Sequence, residues 1–147
     1  MEVSCYNVCF YSSFVFLINV IVAFYYKYYL YAFVFMLLIV TSLCHHSHYT
    51  EVTRIIDKIA VYLVVFYGGY LFFSKLRKLR NNTEPISKRE WILSLLIVST
   101  FLSTILLYYY GYITSSLCYC DNSSSANYFH SFMHCVGCAG HCCIALL

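Results

Sequence analysis

Apolar residues follow one another along this chain in long runs, with polar residues gathered between the runs. An α-helix needs about 20 consecutive apolar residues to cross the hydrocarbon core of a bilayer. The runs predict five membrane-spanning helices, over residues 8–26, 29–44, 56–73, 91–110 and 128–147. We therefore predict an all-α fold, a polytopic transmembrane helical bundle in which residues 1–147 form a single transmembrane domain.

The stretch from Trp91 to Cys120 leaves the number of spans open. It is too long for one helix perpendicular to the membrane and too short for two helices joined by a turn. Four tyrosines near its end, typical of an aromatic belt at a membrane surface, are Tyr108, Tyr109, Tyr110 and Tyr112. This pattern favours one tilted span with an interfacial tail.

Composition supports a membrane protein and excludes a soluble domain of ordinary type. The chain is 62% hydrophobic and 10% charged, against about 45–50% and 25% in soluble domains. The formal net charge of +3 is small, and no basic patch has the aromatic interleaving that nucleic-acid binding uses. We expect membrane lipids as partners and no nucleic acid.

The distribution of basic residues predicts how the helices are oriented. Six of them lie between residues 74 and 90, namely Lys75, Arg77, Lys78, Arg80, Lys88 and Arg89. Short loops rich in Lys and Arg stay in the cytosol. Counting spans from there puts the N-terminus and the 121–127 loop on the lumenal or extracellular side and the C-terminus in the cytosol. Since no basic leader precedes the first run, we expect no cleaved signal peptide.

Histidines at the mouths of the predicted spans are candidates for chemistry, because ionisable groups at that depth usually have a function. His130 and His134 are four residues apart and share one helix face, as do Ser42 and His46 on another span. With one span between residues 91 and 120, His46 and His130 lie at the same membrane face. Three imidazoles with an open fourth position are a catalytic zinc set.

The sequence therefore predicts Zn²⁺ held by His46, His130 and His134. Bound zinc makes water nucleophilic at neutral pH, which suits attack on an ester or amide. Asp57 would accept a proton from this water or orient it. Ser42 would hydrogen-bond the water or stabilise an oxyanion.

Simpler explanations stay open for several of these residues. A histidine at a membrane interface often only keeps its polar tip in water, and Asp57 beside Arg54 and Lys58 is typical of a helix-capping or loop acid. Cys118 or Cys120 would pair with Cys5 or Cys9 if that side is oxidising.

The order of these motifs resembles a known family. Ser42-Leu43-Cys44-His45-His46, then Asp57, then His130-Ser131-Phe132-Met133-His134 is similar to the signature of the CREST superfamily of seven-span membrane hydrolases. The superfamily includes alkaline ceramidases, progestin and adipoQ receptors, and the phospholipase that remodels GPI-anchored proteins.

The resemblance covers roughly residues 33–70 and 128–145. It implies that the three histidines bind zinc, that Ser42 and Asp57 act around the metal site, and that a lipid amide or ester is cleaved within the bilayer. The family has three spans between the Asp helix and the HxxxH helix, where this chain has room for about one, so the bundle is shortened. Two alternatives remain: a catalytically inactive, receptor-like relative that binds metal, and a structural polytopic protein that binds none.

Overall fold

The computed structural model describes residues 4–82 and 84–147, with side chains from Val8 onward. The described residues form helices and no strand, and five helical stretches are long and apolar enough to cross a membrane. The all-α prediction is confirmed, and the architecture is consistent with an integral membrane protein. The five stretches are Val8–Tyr25, Tyr29–Ser47, Glu51–Asn81, Lys88–Thr114 and Ser123–Leu146.

The first stretch is two helices in line, α1 (Ser4–Ser13) and α2 (Phe16–Tyr25). Between them the backbone changes to i→i−3 hydrogen bonds, with the amides of Phe14 and Val15 donating to the carbonyls of Tyr11 and Ser12 at 3.2 and 3.1 Å. A short 3₁₀-type turn inside a helix changes the direction of the side chains that follow it. The predicted first span therefore contains a break that its apolar pattern does not reveal.

Lys27 makes the turn from α2 into α3 (Tyr29–Ser47). Its φ of 63° is left-handed, and the Tyr28 amide donates to the Ala23 carbonyl at 2.8 Å. This 6→1 bond around a left-handed residue is the Schellman ending of a helix. The following helices are α4 (Glu51–Asn81) and α5 (Lys88–Ile105).

Two capping boxes start α4 and α5. The Thr50 hydroxyl accepts from the Thr53 amide at 3.1 Å, and the Ser87 hydroxyl accepts from the Glu90 amide at 3.3 Å. Each pair satisfies amides that the first turn leaves without helical partners. The helices are consequently longer than the predicted spans, because helix ends follow caps rather than the edge of the apolar run.

The basic segment from residue 74 to 90 is therefore mostly helical, where the sequence predicted a loop. α4 continues to Asn81 and α5 begins at Lys88, which leaves a short connection around Pro85. Lys and Arg are good helix formers, so leaving the bilayer does not end a helix. At 31 residues α4 is about 46 Å long, which exceeds the roughly 30 Å hydrocarbon core.

The ambiguous stretch after Trp91 is one helix. α5 continues through a π-helical segment, Leu106–Tyr110, into α6 (Gly111–Thr114). Ser115 ends it in a left-handed conformation, and a 3₁₀ turn over Leu117–Tyr119 leads to α7 (Ser123–Leu146). This agrees with one span and an interfacial tail, in which the rings of Tyr108 and Tyr112 both pack edge-on against Tyr119.

α3 and α7 hold the bundle together. α3 packs against α1, α2 and α4, whereas α7 packs against α1, α2 and α5. The basic side chains of Lys75 and Arg89 reach the end of α7, where they donate to the carbonyls of Ile144 and Leu146 at 2.8 and 3.0 Å. Cations at the C-terminal end of a helix stabilise its unsatisfied carbonyls.

Candidate metal centre

The three predicted histidines lie together where the end of α3 meets the start of α7. The imidazole cluster consists of His46, His130 and His134, and one ligand nitrogen from each lies within 4.8 Å of the others. Ring centroids are 5.2 Å apart for His46 and His130, and 4.9 Å apart for His130 and His134. His46 comes from α3 and the other two from successive turns of α7.

The side chains of the imidazole cluster are more buried than histidines on an ordinary protein surface. His134 is 7% exposed, and His46 and His130 are half-buried. The Nε2 atom of His46 is buried and has no hydrogen-bond partner among the described residues. A buried nitrogen without a partner is costly unless a ligand or an ion engages it.

The nitrogen set suits a divalent transition metal. Imidazole nitrogens bind zinc at about 2.0–2.1 Å, so two ligands at a tetrahedral angle lie about 3.3 Å apart. The three nitrogens lie within 4.8 Å of one another, so they exceed that spacing by at most about 1.5 Å. The residues present therefore fit a three-histidine metal site.

Ser12 of α1 was not identified from the sequence, yet it contacts the imidazole cluster directly. Its Oγ lies 2.8 Å from the Nδ1 atom of His134 and 2.9 Å from the Cys9 carbonyl oxygen. A second hydrogen-bonded group commonly fixes the orientation of a metal-ligating histidine. A pair of adjacent serines inside an apolar run was the available signal, since hydroxyls in membrane helices often join neighbouring helices.

Ser42 lies one turn before His46 on α3 and is buried, with 2% of its surface exposed. Its Oγ is 3.0 Å from the Oγ of Ser13, and Ser13 donates to the Cys9 carbonyl at 2.9 Å. Ser42 is thus held at the α1–α3 contact, beside the imidazole cluster.

Asp57 lies apart from the imidazole cluster. It is half-buried on α4, and its Oδ1 lies 3.3 Å from the Thr41 hydroxyl, which also donates to the Leu38 carbonyl at 3.1 Å. Thr41 precedes His46 by five residues, which is about 7.5 Å along α3. Asp57 therefore meets α3 more than one helical turn away from His46. Its carboxylate is not a member of the three-nitrogen group.

The other histidines are placed differently. His45 stacks on Tyr49 with centroids 5.3 Å apart, and His48 is exposed beside Ser47. His141 is two turns deeper than His134 and hydrogen-bonds through Nδ1 to the hydroxyl of Tyr31. His48 and His141 match the simpler explanation of a histidine that fills an interface or a core, whereas the Nδ1 atom of His45, like Nε2 of His46, is buried without a hydrogen-bond partner among the described residues.

The cysteines near the imidazole cluster give partial information on pairing. Cys118 and Cys120 carry free thiols, and the side chain of Cys5 lies outside the described part of the chain. Burial, with Cys9 and Cys120 nearby, raises the pKa of Cys118 to about 11. Its thiol is therefore protonated at neutral pH and a poor nucleophile for disulfide exchange.

Comparison of the chain with family models, with curated proteins and with solved structures gave no significant match. The functional argument therefore depends on the geometry of the imidazole cluster and its surroundings.

Proposed function

We propose that the protein is a zinc-dependent hydrolase of the membrane, acting on a lipid amide or ester, with His46, His130 and His134 as the metal ligands. The observation that carries this proposal is the meeting of three imidazoles from two apolar helices, with nitrogens within 4.8 Å of one another and one buried nitrogen without a partner. Zinc at such a site polarises a carbonyl and makes water nucleophilic at neutral pH.

Ser42 has a defined hydrogen-bonding role in this proposal. A hydroxyl has one proton, and Ser13 gives its proton to the Cys9 carbonyl, which can only accept. Ser42 therefore donates to Ser13 and keeps its lone pairs for an incoming group. It is suited to accept from the attacking water or from a substrate N–H, and less suited to donate to an oxyanion.

Asp57 acts as the proton acceptor in this proposal. Its Oδ1 lies 3.3 Å from the Thr41 hydroxyl, whose single proton is shared with the Leu38 carbonyl oxygen at 3.1 Å, so the carboxylate keeps the capacity to take up a proton. Asp57 contacts α3 at Thr41, which precedes His46 by about 7.5 Å of helical rise, and it is not a member of the three-nitrogen group. Proton transfer between the reacting water and Asp57 therefore runs through an intervening water or the substrate.

The position of Asp57 also favours a second candidate, a receptor-like protein that binds zinc and a lipid without turnover. Asp57 contacts Thr41 and lies outside the imidazole cluster, which suits a packing role between α3 and α4. This candidate shares the metal site and differs only in lacking chemistry.

Metal content tests the site. Purified wild type is expected to carry about one zinc per chain, as three-histidine sites do, and a His130→Ala, His134→Ala double variant none. The matched control is His48→Ala, whose imidazole is exposed at the same end of the bundle. Equal zinc in wild type and the double variant would contradict the assignment.

Turnover separates the enzyme from the receptor-like candidate. The reconstituted zinc-loaded protein would be given an N-acyl lipid and an acyl-ester lipid, with release of fatty acid as the readout. Asp57→Asn should reduce release by about 10²–10⁴-fold, as the loss of a general base does, whereas Glu51→Gln on the same helix should not. No release by a zinc-loaded wild type with either lipid would favour the receptor-like candidate.

The orientation is part of the proposal, with the imidazole cluster on the lumenal or extracellular side and the connection after Asn81 in the cytosol. The chain has two sequons of its own, Asn81-Asn82-Thr83 and Asn122-Ser123-Ser124, which Thr83→Ala and Ser124→Ala remove. In that chain, glycosylation sequons would be inserted between α3 and α4, and between α4 and α5. Modification of the first insertion alone is expected. Modification of the second insertion alone would show that the orientation is the opposite of the one proposed.

A further inference from the structure

The hydrogen bonds of α1 carry an inference about the protonation of His134. Ser12 lies between two partners, the Cys9 carbonyl oxygen at 2.9 Å and the His134 Nδ1 atom at 2.8 Å. A carbonyl oxygen can only accept, whereas an imidazole nitrogen either donates or accepts according to its tautomer. Two oxygens 2.9 Å apart repel each other unless a proton lies between them, which favours the assignment of the Ser12 proton to the Cys9 carbonyl.

Once the Ser12 proton is used on Cys9, the Ser12 oxygen offers only lone pairs to His134. The Nδ1 atom must then carry the hydrogen and donate it. In a neutral imidazole this leaves Nε2 unprotonated, with its lone pair available to a metal. In that tautomer, Nε2 is the nitrogen of His134 that a metal could engage.

The backbone explains why this arrangement is stable. Ser12 and Ser13 are the last residues of α1 and immediately precede the 3₁₀-type turn. Both hydroxyls donate to the same Cys9 carbonyl at 2.9 Å, Ser12 from three residues ahead and Ser13 from four. One carbonyl thus fixes two adjacent hydroxyls that face different helices, α7 and α3.

We propose that Ser12 is a positioning residue, which sets the tautomer and ring orientation of His134 so that Nε2 faces the other imidazoles. The identity of the ion rests on the function proposed above, whereas the tautomer of His134 is a property of the metal-free protein. Ser13 is the natural control, since it shares the carbonyl and the helix but does not bond to His134.

Nitrogen-15 spectra of histidine-labelled, metal-free protein test the tautomer directly, with His134 assigned by its loss in His134→Gln. Wild type and Ser13→Ala are expected to show His134 protonated on Nδ1. Ser12→Ala should move the proton toward Nε2. Ser12→Thr keeps a hydroxyl at this position and should show the same signal as wild type. A wild-type His134 protonated on Nε2 would overturn the inference.

Zinc affinity gives the second readout, by competition with a chromophoric chelator. Ser12→Ala is expected to bind zinc about 10–100-fold more weakly at unchanged stoichiometry, the usual cost of losing a partner behind a ligating histidine. Ser12→Thr and Ser13→Ala should bind as wild type does. Wild-type affinity in Ser12→Ala would contradict the inference and leave the proposed function intact.

Failure of the proposed function and failure of the positioning role of Ser12 give different results. If wild type binds no zinc, the proposed function fails, and the metal-free spectra still decide the role of Ser12. If wild type binds zinc and the spectra show no dependence on Ser12, the metal site stands and the positioning role falls.

Discussion

His134 and His141 lie two turns apart on α7 and are both enclosed by other helices, yet their surroundings differ in kind. His134 faces two further imidazoles, and its Nδ1 atom lies 2.8 Å from the Ser12 hydroxyl. His141 faces aromatic rings, and its Nδ1 bonds to Tyr31, a tyrosine that is 1% exposed. Burial of a histidine in a membrane helix is therefore a weak indication of function, whereas convergence with other ligands is a stronger one.

Two phenylalanines keep these environments apart. Phe16 lies 5.3 Å from His134 and 6.1 Å from Phe35, which in turn lies 5.3 Å from His141, measured between ring centroids. This apolar layer, formed by Phe16 and Phe35, lies beside one buried polar side chain, Asn19, which donates to the Cys138 carbonyl at 2.9 Å between the two histidines on α7. Because two aromatic rings lie between His134 and His141, we expect substitution of His141 to have little effect on the imidazole cluster.

Metal removal is the largest expected difference between the two histidines. At zinc concentrations of about 100 times Kd, a ligand that binds only the folded state stabilises it by about 2.7 kcal/mol. Wild type and His141→Gln should both lose this stabilisation on addition of a chelator, whereas the stability of His134→Gln should not change. Thermal unfolding in detergent measures the effect.

Tyr31→Phe provides a milder variant on the His141 side if His141→Gln does not fold. It should respond to the chelator as wild type does. A chelator response lost in Tyr31→Phe would show that the two environments are coupled through the apolar layer.

Gly68 tests how tightly the Tyr31–His141 pair is enclosed. A Cβ at this position would lie 2.7 Å from the Tyr31 hydroxyl and 2.9 Å from the His141 ring, both of which are held in place by each other. Gly68→Ala should lower the free energy of unfolding by about 1–3 kcal/mol, as overpacking does. Stability by thermal or denaturant unfolding is the measurement.

The neighbouring Gly69 supplies the control, since a Cβ there meets nothing within 4 Å. Gly69→Ala should leave stability unchanged or raise it slightly, because alanine favours the helix. Equal destabilisation by both substitutions would mean that helix flexibility, rather than contact with the pair, explains the cost.

Tyr31→Phe should have the smallest effect, on stability alone. Removing the hydroxyl leaves the buried His141 Nδ1 atom without its partner, and interhelical hydrogen bonds in membranes average about 0.6 kcal/mol. The zinc affinity of this variant should equal that of wild type. A weaker affinity would indicate that His141 contributes to the metal site.

The sequence predicted the helices well because long apolar runs are a local property. It also predicted that His46, His130 and His134 lie at the same end of the bundle, since helix periodicity aligns His130 with His134 and the two spans between His46 and His130, an even number, return the chain to the same side. Their zinc ligation stays a prediction. Helix ends were predicted less well, because caps such as Thr50 depend on side-chain hydrogen bonds outside the apolar run.

Contacts between particular side chains of different helices could not be predicted from the sequence. The partnership of Ser12 with His134 requires the rotation of α1 against α7, and that of Asp57 with Thr41 requires the register of α4 against α3. Both follow from packing of many side chains, which no single run of residues encodes. The roles of Asp57 and Ser42 in catalysis therefore also stay predictions.

The length of α4 has a practical consequence for any reconstitution. A helix of 31 residues adapts to thinner or thicker bilayers by changing its tilt. Because Asp57 is on α4 while two of the three imidazoles are on α7, a change of tilt alters the separation between the acid and the imidazole cluster. Acyl-chain length of the host lipid thus becomes an experimental variable in its own right, one to be matched between variants before their rates are compared.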